Sequence, residues 1–176
     1  EYAEHQSDTI TVAFPVVEVS QYLRSHPQVD VANNSVSATP TDTTLIELLL
    51  NASVLIWTTT PWTIPGNRAI SYSETISYGL YEVTEIAPLP DGNLPWAKPG
   101  DRFVMADTLA GATLEAMRAS GHKRLADVPK DALKGLVIAH PLRDSGLGGY
   151  AFDVPLLPGN HVTDETGTGF VHTAPG

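Results

Sequence analysis

The sequence predicts a mixed α/β, mainly β domain of barrel-like form, on three observations. Short stretches rich in β-branched and aromatic residues recur between turn signals along the whole chain. Only one longer stretch carries a convincing helical apolar face. The length, 176 residues with 42% hydrophobic content, suits one domain with a proper core. No internal repeat or low-complexity tract divides the chain, so residues 1–176 are read as a single domain.

The elements follow in order. Thr9 to Val19 is β-branched with partial alternation and reads as a strand interrupted at Pro15. Pro27 to Thr44 is polar and loop-like, and Leu45 to Leu50 is long enough for one or two helical turns. Val54 to Thr60 is an apolar run ending in three threonines, a buried strand. Ile70 to Tyr72, Tyr78 to Ile86 and Arg102 to Ala106 are further strands, with a four-proline loop from Pro88 to Gly100 between the last two. Asp107 is expected to cap a helix over Thr108 to Ala119, with Leu109, Ala112, Leu114, Ala116 and Met117 on its apolar face. Leu136 to Ala139, Tyr150 to Val154 and Gly169 to Thr173 complete the strands.

Composition narrows the functions. Ten basic against twenty acidic residues leave a net charge of -10, the opposite of the basic footprint from which nucleic-acid binders draw most of their affinity. Any RNA handled by this chain is expected to be held mainly by something else. The absence of cysteine excludes disulfides and thiolate metal sites. No apolar run approaches a membrane span, and Glu1-Tyr2-Ala3-Glu4-His5 lacks the pattern of a signal peptide, so a cytoplasmic setting without membrane association is expected.

The least ordinary stretch is Trp57-Thr58-Thr59-Thr60-Pro61-Trp62-Thr63-Ile64-Pro65-Gly66-Asn67. Pro61 biases Thr60 toward extended geometry, so the threonines are expected to continue the strand, Thr58 and Thr60 on one face and Thr59 on the other. Each hydroxyl both donates and accepts, which suits holding a water beside an ester carbonyl. Residue types alone favour a plainer reading, a β-rich edge strand followed by a proline turn.

This stretch resembles the threonine-rich signature of the editing insert of isoleucyl-tRNA synthetases. Valyl and leucyl relatives carry a Thr-Thr pair typically followed by Arg-Pro, whereas Thr60-Pro61-Trp62 points to the isoleucyl member. A second match lies about a hundred residues on, at Gly159-Asn160-His161-Val162-Thr163 and Gly167-Thr168-Gly169-Phe170-Val171-His172-Thr173-Ala174-Pro175. It is similar to the family's Gly-Thr-Gly-x-Val-His-x-Ala-Pro motif. Similarity is weaker at Phe14-Pro15 and His140-Pro141.

The resemblance implies a barrel-like editing domain of the valyl/leucyl/isoleucyl type, an excised insert of a larger synthetase. Its implied activity is hydrolysis of valine mischarged onto isoleucine tRNA. Thr58, Thr59 and Thr60 would position the ester and the attacking water. Asn67 would bind near the ribose or aminoacyl group, and Trp62 would form part of the pocket wall. His172 would sit against the amino-acid side chain and help exclude isoleucine. Thr168 and Gly169, in the Gly-Thr-Gly turn, would let backbone approach the terminal adenosine. The implied partners are the mischarged 3′ end, valine and the remainder of the synthetase. The domain is expected to be monomeric and to need no cofactor or metal. The family's motif continues to an aspartate about nine residues past the histidine, a position beyond Gly176, that holds the α-amino group. An insert would also bring Glu1 and Gly176 close together.

Other signals are weaker. The six histidines, at 5, 26, 122, 140, 161 and 172, show no metal-ligand spacing, and no Gly-x-Ser-x-Gly elbow is present. Gly146-Leu147-Gly148-Gly149 lacks a following helix and lysine and reads as a flexible turn. Asp164-Glu165 could supply a general base, though such a pair more often solvates a loop. Two rival readings are a non-enzymatic β-barrel module that binds an amino acid or adenylate, and a free-standing trans-editing protein. The latter would need its own basic tRNA-binding surface.

The charge leads to a direct expectation. Titrated with isoleucine tRNA at physiological salt, this chain should bind weakly, and more weakly still as salt rises. Submicromolar affinity there would contradict the reading and favour the free-standing editor.

Overall fold

The computed structural model describes residues 9–19 and 42–175. Its strands are β1 (Ile10–Val19), β2 (Ser53–Thr58), β3 (Ala69–Tyr72), β4 (Tyr78–Glu85), β5 (Arg102–Ala106), β6 (Gly121–Asp127), β7 (Leu136–Ala139), β8 (Asp153–Pro158) and β9 (Phe170–Thr173). The helices are α1 (Asp42–Leu50), α2 (Asp107–Ala116) and α3 (Lys130–Lys134), with a 3₁₀ helix over Pro61–Gly66. Of the expected loop from Pro27 to Thr44, residues 27–41 lie outside the described residues and 42–44 form the first turn of α1. The expected closeness of Glu1 and Gly176 also falls outside them.

The strands form one mixed sheet in the order β6-β4-β5-β2-β1-β7-β8-β3-β9. Pairs are antiparallel except β2 with β5 and β3 with β8. The sheet curls until β9 lies back against β2, which gives the barrel-like form, but no ladder closes it.

β1 runs unbroken through Pro15, contrary to the expected interruption, because the strand changes partner there. Residues Ile10 to Pro15 pair with β2, and Val16 onward with β7. Proline has no N–H to give the ladder, and the next amide, Val16, donates to the Ala52 carbonyl at 2.9 Å. Most apolar side chains of β1, β2, β3, β7 and β8 meet in one core around Phe14, Ile56, Ile70, Tyr72 and Ile138. A second cluster of Leu55, Phe103, Met105, Leu114 and Met117 lies under α2.

α2 differs from expectation at both ends. Asp107 is its first residue rather than its cap, because its carboxylate is engaged elsewhere. It accepts from the Tyr81 hydroxyl at 2.6 Å and from Arg124 at 2.8 Å. The guanidinium of Arg124 holds that carboxyl below its ordinary range. The helix stops at Ala116 because Arg118 takes a left-handed φ of 63°. Ala119 N–H then bonds the Leu114 carbonyl and Arg118 N–H that of Glu115, the Schellman arrangement that glycine usually serves.

Besides the 3₁₀ helix, two elements were not expected and one was misplaced. β6 is an edge strand of mostly exposed charged residues, so it carries no apolar alternation. α3 is a five-residue helix that buries Ala132 and Leu133. The strand expected at Tyr150 to Val154 lies instead at Asp153–Pro158, where Pro155 and Pro158 disguise it while Val154 and Leu156 still alternate inward. The Gly146-Leu147-Gly148-Gly149 segment is a turn with positive φ at each glycine.

Two local structures fix the site's surroundings. His140, after β7, is buried and stacked on Tyr150 at 4.7 Å. Its Nε2–H donates to the Ile64 carbonyl at 3.0 Å and its Nδ1 accepts from Leu142 N–H at 3.2 Å, tying the end of β7 to the 3₁₀ helix. The second is the turn Gly167-Thr168-Gly169, whose three carbonyls are all taken. Gly167 accepts from the Thr113 hydroxyl at 3.3 Å, Thr168 from Ala106 N–H at 2.9 Å and Gly169 from the Tyr78 hydroxyl at 2.7 Å. The Thr168 hydroxyl donates to the Leu55 carbonyl at 2.6 Å.

Both structures make predictions. Burial holds the pKa of His140 below its ordinary 6.5, so the unfolded chain takes up this proton first. Its stabilising contribution is therefore complete above 6.5 and is lost as pH falls toward the folded value. Chemical denaturation across that window should show a shallower acid-side loss for His140→Gln, and an unchanged slope would refute the assignment. Gly169 has φ +80°, and a Cβ there would overlap that of Ala106. Gly169→Ala should therefore cost at least about 2 kcal/mol in the same assay, combining backbone strain with overpacking. A neutral substitution would show that the turn is not pinned as described.

Candidate active site

β2 delivers the threonines, but its ladder ends at Thr58, opposite Ile10, and not at Thr60 as expected. Beyond it, hydroxyls replace strand partners. Thr60 N–H donates to Thr58 Oγ1 at 3.0 Å, and the two hydroxyls lie 3.2 Å apart. The Thr60 carbonyl accepts both Thr63 N–H at 3.0 Å and Thr63 Oγ1–H at 2.7 Å, which opens the 3₁₀ helix. Thr60 Oγ1 stands 3.3 Å from Thr63 Oγ1, so a chain of hydroxyls runs through Thr58, Thr60 and Thr63.

The pinned glycine turn and β9 face these threonines. Between them lies a cleft of about 360 Å³, within the range of small-ligand sites, whose walls include Thr58, Thr59, Thr60, Gly167, Gly169 and His172. His172 reaches it from β9, paired opposite Ile70, and its Nε2 lies 3.2 Å from Thr63 Oγ1. Its Nδ1 is buried without a hydrogen-bond partner, and burial lowers the ring's pKa. No carboxylate lines the cleft among the described residues, so its polar chemistry is that of neutral hydroxyls, the imidazoles of His161 and His172, and backbone.

Of the residues expected at the site, Thr58, Thr59, Thr60, Gly169 and His172 come together around this cleft. Thr168 belongs to its turn, but the hydroxyl points into the fold at Leu55. Trp62 is 74% exposed and stands outside the lining. Asn67 is fully buried beyond the cleft, its Nδ2 donating to the Ala69 carbonyl at 3.0 Å and its Oδ1 left without a partner. Asp164 accepts from the Thr108 hydroxyl, and Glu165 faces a neighbouring groove beside α2, so neither lines the cleft.

Sequence reasoning gave no role to Trp57, His161, Thr163, Thr166 or Phe170, all of which line it. Trp57, His161, Thr163 and Phe170 stand inside the two motif stretches, which was their one signal, and Thr166 lies between the two halves of the second. Among the described residues, no group of three His, Cys, Asp or Glu could hold a metal ion, and no helix is long and apolar enough to cross a membrane.

The comparisons with known proteins bear on this geometry. No family model matches the chain. It is 45% identical over its whole length to isoleucine–tRNA ligase of Bradyrhizobium diazoefficiens, 47% to that of Rhodopseudomonas palustris and 42% to that of Caulobacter vibrioides. The chain spans 14–15% of the length of these curated relatives. Among solved structures it is similar to that of GlLeuRS-CP1, with a TM-score of 0.59 and 16% identity over 96% of this chain and 55% of that one. It is also similar to the editing domain of the cytosolic leucyl-tRNA synthetase of P. knowlesi, with a TM-score of 0.57 and 12% identity over 98% of this chain and 60% of that one. Sequence match over the whole chain marks it as a segment homologous to isoleucyl-tRNA synthetases, and its fold is the one seen in the leucyl-tRNA synthetase editing domains.

Proposed function

We propose that this cleft hydrolyses the ester linking valine to the 3′-terminal ribose of isoleucine tRNA, as the proofreading site of a cytoplasmic, monomeric synthetase. The observation that carries the reading is the run of threonine hydroxyls facing a rigid glycine turn across one small cleft.

A synthetic pocket that accepts isoleucine cannot strongly reject valine. One methylene is worth about 1–3 kcal/mol, or roughly 150-fold in the isoleucyl system, itself the standard worked case of this limit. A second site that admits valine and sterically refuses isoleucine multiplies the two selectivities.

Water is the nucleophile. A neutral threonine is a poor base, so the hydroxyls act by orienting the water and ester and by donating to the developing oxyanion. Thr58 Oγ1 already accepts the Thr60 amide, which fixes its remaining donor and acceptor directions before substrate arrives. Gly167, where a side chain would stand beside Trp57 of the cleft wall, leaves backbone open to close approach by the terminal nucleoside. His172, neutral and partly buried, forms the wall against the valine methyls. The net charge of -10 assigns most of the tRNA's binding to the remainder of the synthetase. Asn67 and Trp62 would then act from outside the cleft, Asn67 by holding the exit of the 3₁₀ helix.

The test is made in the intact ligase. Replacing Thr58 and Thr60 together by valine should slow clearance of valyl-tRNA by about 100-fold or more, the scale set by losing oxyanion-type donors. Isoleucine activation should stay as it was. Clearance at the normal rate by the double variant would remove the threonines from catalysis. Binding of valyl-tRNA without turnover by the wild type would favour a mere binding module.

A further inference from the structure

The loop between β8 and β9 supplies His161, Thr163, Thr166, Gly167 and Gly169 to the cleft wall, and it sorts its charges. Asp164 is turned to the Thr108 hydroxyl at 3.1 Å and Glu165 to the groove beside α2, so both carboxylates leave the cleft. His161 stays on it, exposed. Imidazole is the one side-chain type on this lining able to carry positive charge, and burial holds His172 toward its neutral form. The hydrogen bonds made by histidine ring nitrogens among the described residues belong to His140 and His172, which leaves those of His161 to a ligand.

The His161 ring is also seated. Gly159 N–H donates to the Tyr72 carbonyl at 2.8 Å, and its carbonyl accepts from the N–H of buried Val162 at 3.2 Å, which fixes the turn that carries His161. A Cβ on Gly159 would meet Cε1 of His161 at 2.7 Å and Nδ1 at 3.1 Å, so the ring rests against the bare glycine with Nε2 farther from it. A ring held in this way presents a donor without first giving up the freedom of a loose side chain.

We propose that His161 binds the phosphate on the 5′ side of the terminal nucleoside, donating to it from Nε2–H. This rests on the reading of the cleft as an editing site for an aminoacylated 3′ end. With the ester against the threonines and the nucleoside against Gly167, the first phosphate leaves across the loop that carries His161. That phosphate enters a domain of net charge -10, and carboxylates on the same lip would repel it. One charge-assisted hydrogen bond fixes the register of the 3′ end without having to hold the whole tRNA.

In the intact synthetase, His161→Ala should lower kcat/KM for clearance of valine-charged isoleucine tRNA roughly 10-fold, the weight of one hydrogen bond to a charged group at an exposed site. Two small esters show where the loss arises: valine on the 3′ hydroxyl of adenosine, and the same ester of adenosine 5′-monophosphate. Wild type should prefer the phosphate-bearing ester roughly 10-fold in kcat/KM by the same bond. His161→Ala should erase that preference and cleave the adenosine ester as wild type does. Gly159→Ala, whose methyl pushes the ring off its seat, should reproduce the loss on valyl-tRNA and add nothing in the His161→Ala background. Valyl-tRNA clearance untouched by His161→Ala, or a phosphate preference that survives it, would overturn the proposal. A loss shared equally by the two small esters would do the same, since it marks a merely structural role. Wild-type enzyme that leaves valyl-tRNA and both esters intact would instead sink the editing reading, and the phosphate site with it.

Discussion

The fastening of the Gly167-Thr168-Gly169 turn is the constraint on which the rest of the site depends. β9 pairs in ladder form only with β3 at the end of the sheet, so nothing in the ladder obliges it to face β2. What brings it there is the Thr168 hydroxyl on the Leu55 carbonyl, with Ala106, Thr113 and Tyr78 each donating to a carbonyl of the turn. Tyr78 serves as a permanent donor because burial raises its pKa to about 12. Four elements thus hold three residues, and His172 is carried across from the threonines as a consequence.

The opposite wall is built by a different logic. Pro61 cannot continue a ladder, and the chain must turn immediately after the strand. Threonine hydroxyls take over the hydrogen bonds that strand partners would have made, so the groups proposed to act on substrate are the ones that satisfy the backbone locally. Such a wall is stiff although only Thr58 of the three threonines is buried. The rotamers are fixed by bonds that exist in the empty site, which is the meaning of preorganisation here.

Much of this was legible in the amino-acid order, and the exceptions have physical causes. Arg102–Ala106 and Leu136–Ala139 were read with the bounds observed, because buried runs of branched and apolar residues have few other homes. Gly121–Asp127 was missed because this edge strand exposes His122, Lys123 and Arg124 in succession, which erases the alternation, and buries only Ala126. Thr58, Thr59, Thr60 and His172 could be picked out, since they sit in motifs. Asn67 and Trp62 belong to the same motif yet stand apart from the cleft, because the 3₁₀ helix rotates them away from it. Thr63 lies in that motif too, but its contact with a ring 109 residues later could not be read there.

That separation has a consequence for how the domain comes into being. The bonds that make the cleft join residues 109 and 113 positions apart, and one wall is the last strand of the sheet. Closing such loops is slow, because chain entropy is lost before contacts reward it. During synthesis β2 and its threonines emerge long before β9, so a nascent chain carries half a cleft and no complete one. The complete cleft therefore appears late and all at once, when the glycine turn docks.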